Sequence, residues 1–163
     1  MSVEGCKPVI IIGAGPTGTA LAIDLALHGT SSILVERHHK PQQVPKGQNL
    51  TQRTGEHLRY WGVTDQIAAA TLIPREYGNE GLVAYGNLLS EYHYDWFKRG
   101  TVREFYAADN ERLPQFETER ILRERASTFD CITTHYGWSY SDCSQNDEGV
   151  TVSIKETLSL IHI

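Results

Sequence analysis

Three cysteines, Cys6, Cys131 and Cys143, are too few and too scattered to staple a fold. No C-x-x-C pair is present, so neither a disulfide framework nor a zinc ribbon is indicated, and three reduced thiols are expected. Long apolar runs are missing as well. The opening run Val9–Ile12 is too short for a membrane span or a signal-peptide core, so a cytoplasmic location away from any membrane is expected. Charge of one sign never accumulates: 15 Lys and Arg face 20 Asp and Glu, for a net charge of −5. Without a basic stripe, nucleic acid is not an expected partner, although a nucleotide held by backbone N–H groups stays open. No Ser/His/Asp or Cys/His constellation supports a hydrolase. His38-His39 are adjacent in a polar stretch, with no cysteine or carboxylate cluster at ligand spacing. They read as a solvated loop, and no metal is expected.

What is there is ordinary globular sequence. The chain has 163 residues, 40% hydrophobic and 21% charged, enough for one domain with a core. Pro8-Val9-Ile10-Ile11-Ile12 reads as a strand buried on both faces of a parallel sheet. Thr19 to His28 reads as a helix, with Ala20, Leu21, Leu25 and Ala26 on one face and Gly29 as its stop. Ile33-Leu34-Val35 is the next strand, ending at Glu36. A parallel pair joined by a crossover helix is a right-handed βαβ unit. His38 to Gly47 reads as a loop and Thr54 to Trp61 as a helix, with Thr64 capping a further short helix through Ala70. Leu82 to Leu89 and parts of Tyr92 to Tyr106 read as strands or irregular structure. Pro114 precedes a helix from Phe116 to about Ala126. Ile132 to Tyr140 and Gly149 to Ile154 read as strands joined by a turn at Gln145–Gly149. The expected fold is α/β, a parallel sheet of Rossmann type with antiparallel strands added.

The strand–helix junction carries the motif Gly13-Ala14-Gly15-Pro16-Thr17-Gly18. Gly13 allows a sharp turn out of the strand. Gly15 lets a pyrophosphate approach the backbone. Gly18 lets the helix pack closely on the sheet. The helix N-terminus then offers unpaired N–H groups to phosphates. Glu36, closing the second strand, stands where a carboxylate accepts hydrogen bonds from ribose hydroxyls. A carboxylate there repels a 2′-phosphate, which disfavours NADP at this site. It does not separate NAD from FAD, since both carry an adenosine diphosphate half.

Three stretches together resemble the flavoprotein aromatic hydroxylases, the single-component FAD-dependent monooxygenases of the para-hydroxybenzoate and phenol hydroxylase kind. They are Val9 to Arg37, Pro45 to Thr54 followed by His57–Gly62, and Leu113 to Leu122. The resemblance implies an FAD-binding domain. It assigns Gly13, Ala14, Gly15, Pro16, Thr17 and Gly18 to the pyrophosphate, and Glu36 with Arg37 to the adenosine ribose end. Lys46, Gly47, Gln48 and Asn49 fall to the flavin's ribityl and phosphate side, and Gln115 to its other wall. Arg is usual in the family where Lys46 stands. Lysine offers a point charge in place of a bidentate fork. Arg53 either compensates or is a solvated, helix-capping charge. The implied reaction is hydroxylation of a small aromatic substrate, with NADH or NADPH as reductant and O₂ as oxygen source. No residue is assigned as a catalytic acid or base.

Residues 73–112 are candidates for the substrate side. There Tyr92, Tyr94, Trp96, Phe97, Phe105 and Tyr106 read either as the lining of an aromatic pocket or as sheet core and its covering. The family's later Asp-Gly and Gly-Asp motifs are not in this sequence. Leu158-Ser159-Leu160-Ile161-His162-Ile163 translates a DNA string used in sequencing adaptors. Residues 1–157 are therefore expected to be the N-terminal part of an FAD-binding domain, incomplete at its C-terminus and inactive alone, with 158–163 a non-native tail. Two other readings stay open: an NAD-dependent dehydrogenase using the same turn, and a non-catalytic nucleotide-binding module.

Overall fold

A computed structural model describes residues 7–44, 46–73, 81–95 and 98–157. Expectations for Cys6, Pro45, Trp96, Phe97 and the 158–163 tail lie outside those residues. The chain divides into two compact units, one made of 1–45 and 115–163, the other of 46–114.

In the first unit, strand β1 (Val9–Ile12), helix α1 (Pro16–Leu27) and strand β2 (Ser32–Glu36) form the βαβ unit. β1 and β2 run parallel, with Val9 beside Ser32 and Ile12 beside Val35. α1 starts three residues before its expected start, inside the glycine motif, because Pro16 occupies its first turn with its φ already helical. It ends in a Schellman arrangement: Thr30 N–H donates to the Leu25 carbonyl at 2.9 Å and Gly29 N–H to Ala26 at 3.0 Å. The buried face of α1 is Thr19, Ala20, Ala22 and Ile23, while Leu21 is exposed. The expected face is rotated because a second helix also packs on α1 and widens its buried arc.

In the second unit, strand β3 (Asn49–Leu50) pairs antiparallel with β6 (Glu111–Arg112). Helix α2 (Gln52–Tyr60) is capped by Thr51, whose Oγ1 accepts from Thr54 N–H at 3.3 Å. Helix α3 is Thr64–Ala70, and Thr64 is its first residue, not its cap. Val63 holds the cap position without a side-chain bond. Leu58, Val63, Ile67 and Leu113 are the buried apolar residues among those described in this unit. A short hairpin, β4 (Leu82–Ala84) and β5 (His93–Asp95), precedes a single helical turn at Arg99–Val102 and a 3₁₀ turn at Arg103–Phe105.

The rest of the first unit begins with α4 (Gln115–Ala126), the helix that packs on α1. It leads to β7 (Ile132–Tyr136), which lies parallel to β2 and completes a three-stranded sheet in the order β1-β2-β7. Ile132–Tyr140 is not one strand. Gly137, at φ +81°, turns the chain, and β8 (Trp138–Asn146) leaves to pair with β9 (Gly149–Glu156). The turn between β8 and β9 is stitched by Asn146 Oδ1, which accepts from the N–H groups of Glu148 and Gly149 at 2.9 and 3.1 Å.

Ile11, Ala14, Ala22 and Leu34 form the core beneath α1, joined by Leu25, Ile132 and Tyr136. Each fully buried Leu or Ile here contributes about 1.5–3 kcal/mol. β1 is not buried on both faces. Val9 is 39% and Ile12 49% exposed. Among the described strands β1 pairs on one side only, so its second edge and one face stay open. A groove of about 370 Å³ runs there, between Val9, Ile10 and Ile12 on one side and Tyr140, Val150 and Val152 on the other.

Candidate functional site

The six-residue turn between β1 and α1 is built around three glycines with three separate reasons. Gly13 has φ +103°, a conformation that side-chain-bearing residues rarely adopt, and it breaks the strand at once. A Cβ on Gly18 would lie 1.9 Å from the Gly13 carbonyl oxygen and 3.3 Å from Ile11 Cγ2, so only glycine lets α1 sit this close to β1. A Cβ on Gly15 would meet nothing within 4 Å, so open space lies beside the backbone at the head of the helix.

That helix head is electrostatically bare. Gly15 is the N-cap of α1, no side chain caps the first turn, and no acidic residue stands in it. Helices usually satisfy their first N–H groups with a Ser, Thr, Asp or Asn. Here the first-turn donors and the positive end of the dipole meet neither a side-chain cap nor a first-turn carboxylate.

Glu36, at the end of β2, is tied into the same turn. Its Oε2 accepts the Ala14 N–H at 2.9 Å and its Oε1 accepts the His38 N–H at 2.9 Å. A carboxylate has about four lone-pair sites, so one bond on each oxygen leaves capacity for two hydroxyl donors. Arg37 is exposed and its Nε donates to His38 Nε2 at 3.1 Å. His38 Nε2 also contacts Gln42 Nε2 at 2.9 Å. His39 does not pair with His38. Its ring lies over Gly137, where a Cβ would come within 2.1 Å of Cε1.

Sequence reasoning passed over Arg123 and Tyr136. Arg123, from α4, reaches the Ala14 carbonyl through Nη2 and the His39 carbonyl through Nη1, both at 3.4 Å. Its guanidinium stacks 4.5 Å above the Tyr136 ring. Burial pushes the Tyr136 phenol pKa up; Arg123 opposes the rise and Glu36 adds to it. The available signal was an arginine directly after two core positions, Ile121 and Leu122, on a helix with buried neighbours.

The remaining expected contacts divide between the two units. Gln115 opens α4 in the first unit and donates from Nε2 to Glu119 Oε1 at 2.7 Å. Lys46, Gly47, Gln48 and Asn49 are exposed in the second unit. The Gln48 carbonyl accepts Leu113 N–H at 2.9 Å, and Asn49 pairs with Arg112 across β3 and β6. Arg53 pairs with Glu56 at 2.9 Å on the surface of α2. Of the aromatic stretch, Tyr92, Tyr94, Phe105 and Tyr106 are all exposed, from 41% to 73%. They sit on or beside a two-stranded hairpin and short turns, and among the described residues that sheet has no third strand.

No helix of the described residues is long and apolar enough to cross a membrane. Cys131 and Cys143 are both free thiols.

The profile of the FAD binding domain family matches residues 7–159. Phenol 2-monooxygenase of Pseudomonas sp. (strain EST1001) is 27% identical over 157 residues, covering 93% of this chain and 26% of that protein. Rifampicin monooxygenase of Streptomyces venezuelae is 28% identical over 148 residues, covering 91% of this chain and 28% of that protein. Among solved structures, the flavin-dependent monooxygenase PieE, crystallised with FAD and substrate, superposes with a TM-score of 0.78 at 27% identity. It covers 92% of this chain and 27% of that one. The chain thus spans about a quarter of the length of the curated relatives it matches.

Proposed function

This chain belongs to the FAD binding domain family, and on that premise we propose that it forms the adenosine diphosphate end of the FAD site in a monooxygenase that hydroxylates a small aromatic substrate. NADH or NADPH is the reductant in this reading and O₂ the oxygen source. The observation that carries it is the turn itself: an uncapped helix N-terminus, open space at Gly15, and a carboxylate at the end of β2 with lone pairs to spare.

Gly15 and the first-turn N–H groups of Pro16–Gly18 would receive the pyrophosphate, Pro16 itself lacking an N–H to offer. Glu36 would accept the ribose hydroxyls while keeping its two backbone bonds, and Arg37 would flank it. Lys46, Gly47, Gln48, Asn49 and Gln115 are assigned to the flavin side. When bound, FAD supplies the oxygen-transfer chemistry; the residues of this chain hold and orient it. An NAD-dependent dehydrogenase would use the same turn, but protein purified from cells would then be colourless.

The test is flavin binding. Wild-type protein is expected to quench FAD fluorescence on titration, and Gly15→Val is expected to abolish that quenching by filling the approach to the backbone. A Gly15→Val variant that binds FAD as the wild type does would remove the turn from the cofactor site.

A further inference from the structure

Both backbone polar groups of Ala14 are held. Its N–H donates to Glu36. Its carbonyl receives Thr19 Oγ1 at 3.2 Å and Arg123 Nη2 at 3.4 Å. No peptide bond of the described chain is cis. In a planar trans peptide the C=O of one residue and the N–H of the next point in opposite directions. Drawing the Ala14 carbonyl toward α4 therefore aims the Gly15 N–H the other way, out of the turn, on the side where a phosphate would meet it.

Arg123 itself is oddly placed for a structural arginine. It is partly buried, its Nε is buried with no partner, and no carboxylate pairs with it among the described residues. A cation withdrawn from water without a counter-charge is unfavourable unless something compensates. Its fork instead spans two carbonyls, Ala14 in the phosphate turn and His39 in the loop after β2, and its plane rests on Tyr136.

We propose that Arg123 is a positioning residue for the cofactor's adenosine diphosphate half, fixing the Ala14–Gly15 peptide so that the Gly15 N–H faces the pyrophosphate and tying that turn to the loop behind Glu36. This rests on the FAD reading above. Arginine suits the two carbonyls because Nη1 and Nη2 are separate nitrogens of one planar fork, whereas lysine presents its three N–H groups from a single nitrogen.

The experiment compares wild type, Arg123→Ala and Arg123→Lys on the full chain. Dissociation constants for FAD and for ADP are measured, together with the ³¹P spectrum of the bound pyrophosphate. Arg123→Ala is expected to weaken both ligands about tenfold, Arg123→Lys by a smaller factor, and the bound ³¹P resonances are expected to move in both variants. If Arg123→Ala does not fold, Arg123→Lys alone decides, since it keeps the charge and the stem. Variants that match the wild type in affinity and in ³¹P shift would overturn the proposal. A wild-type chain that binds neither FAD nor ADP would overturn the FAD reading beneath it, and the proposal with it.

Discussion

Replacing Gly18 with alanine isolates the packing role of the turn from any binding role. The added Cβ would stand 1.9 Å from the Gly13 carbonyl oxygen, 3.1 Å from its carbon and 3.3 Å from Ile11 Cγ2. The first two are backbone atoms at a glycine already at φ +103°, so neither can swing aside as a side-chain end would. Relief requires the start of α1 to lift from the end of β1 by about an ångström. Overpacking of this kind costs about 1–3 kcal/mol, and the backbone contact places it at the upper end. Alanine returns about 1 kcal/mol of helix propensity at a helical position. The expected net loss is about 2 kcal/mol, a fall in Tm of roughly 4–8 °C for a chain of this size. Gly15→Ala is the control. Its φ of −70° suits any residue and its Cβ meets nothing within 4 Å, so its Tm should stay close to the wild type. Thermal unfolding followed by circular dichroism reads both. A Gly18→Ala protein as stable as the wild type, or more so, would mean that helix propensity dominates and that the close approach of α1 to β1 is not a constraint.

Two further outcomes are expected. Gly137→Ala should destabilise by roughly 1–2 kcal/mol from the positive φ alone, with an added steric part where its Cβ meets the His39 ring. His39→Ala should recover the steric part and leave the φ part, which a double-mutant cycle in urea would separate. The Glu56 carboxyl is held below the ordinary carboxylate range, first by the Ala107 N–H and then by Arg53. A depressed carboxylate pKa contributes stability above its unfolded value and loses it as the pH falls through the folded value. Glu56→Gln should therefore flatten the acid limb of a urea-midpoint-against-pH curve; an unchanged limb would show that the tie to Ala107 does not matter.

The βαβ unit was legible because its determinants are local. A run of four β-branched residues, glycines at 13, 15 and 18, and a carboxylate at 36 are each read within one turn or one strand, and the structure puts the run in β1, the glycines between β1 and the first turn of α1, and the carboxylate at the end of β2. The boundaries were legible where a cap or a stop is local, as at Gly29. Family membership followed from motif order in the sequence and was matched over residues 7–159.

What the sequence alone could not reach depends on partners far along the chain. Gly137 reads as a strand residue until the His39 ring and the separate pairing of β8 with β9 turn it into a corner. Leu21 reads as core until α4 packs on α1 and shifts the buried arc toward Ile23. Ile12 reads as buried, yet whether a strand's second edge is covered depends on which strands pair with it. Arg123 meets Ala14 across 109 residues. Periodicity and turn chemistry set the hydrogen-bonding pattern of each segment, because those bonds close over a few residues. Which side chains then meet is decided by how the segments pack, since contacts of large sequence separation form only when the whole unit closes around them.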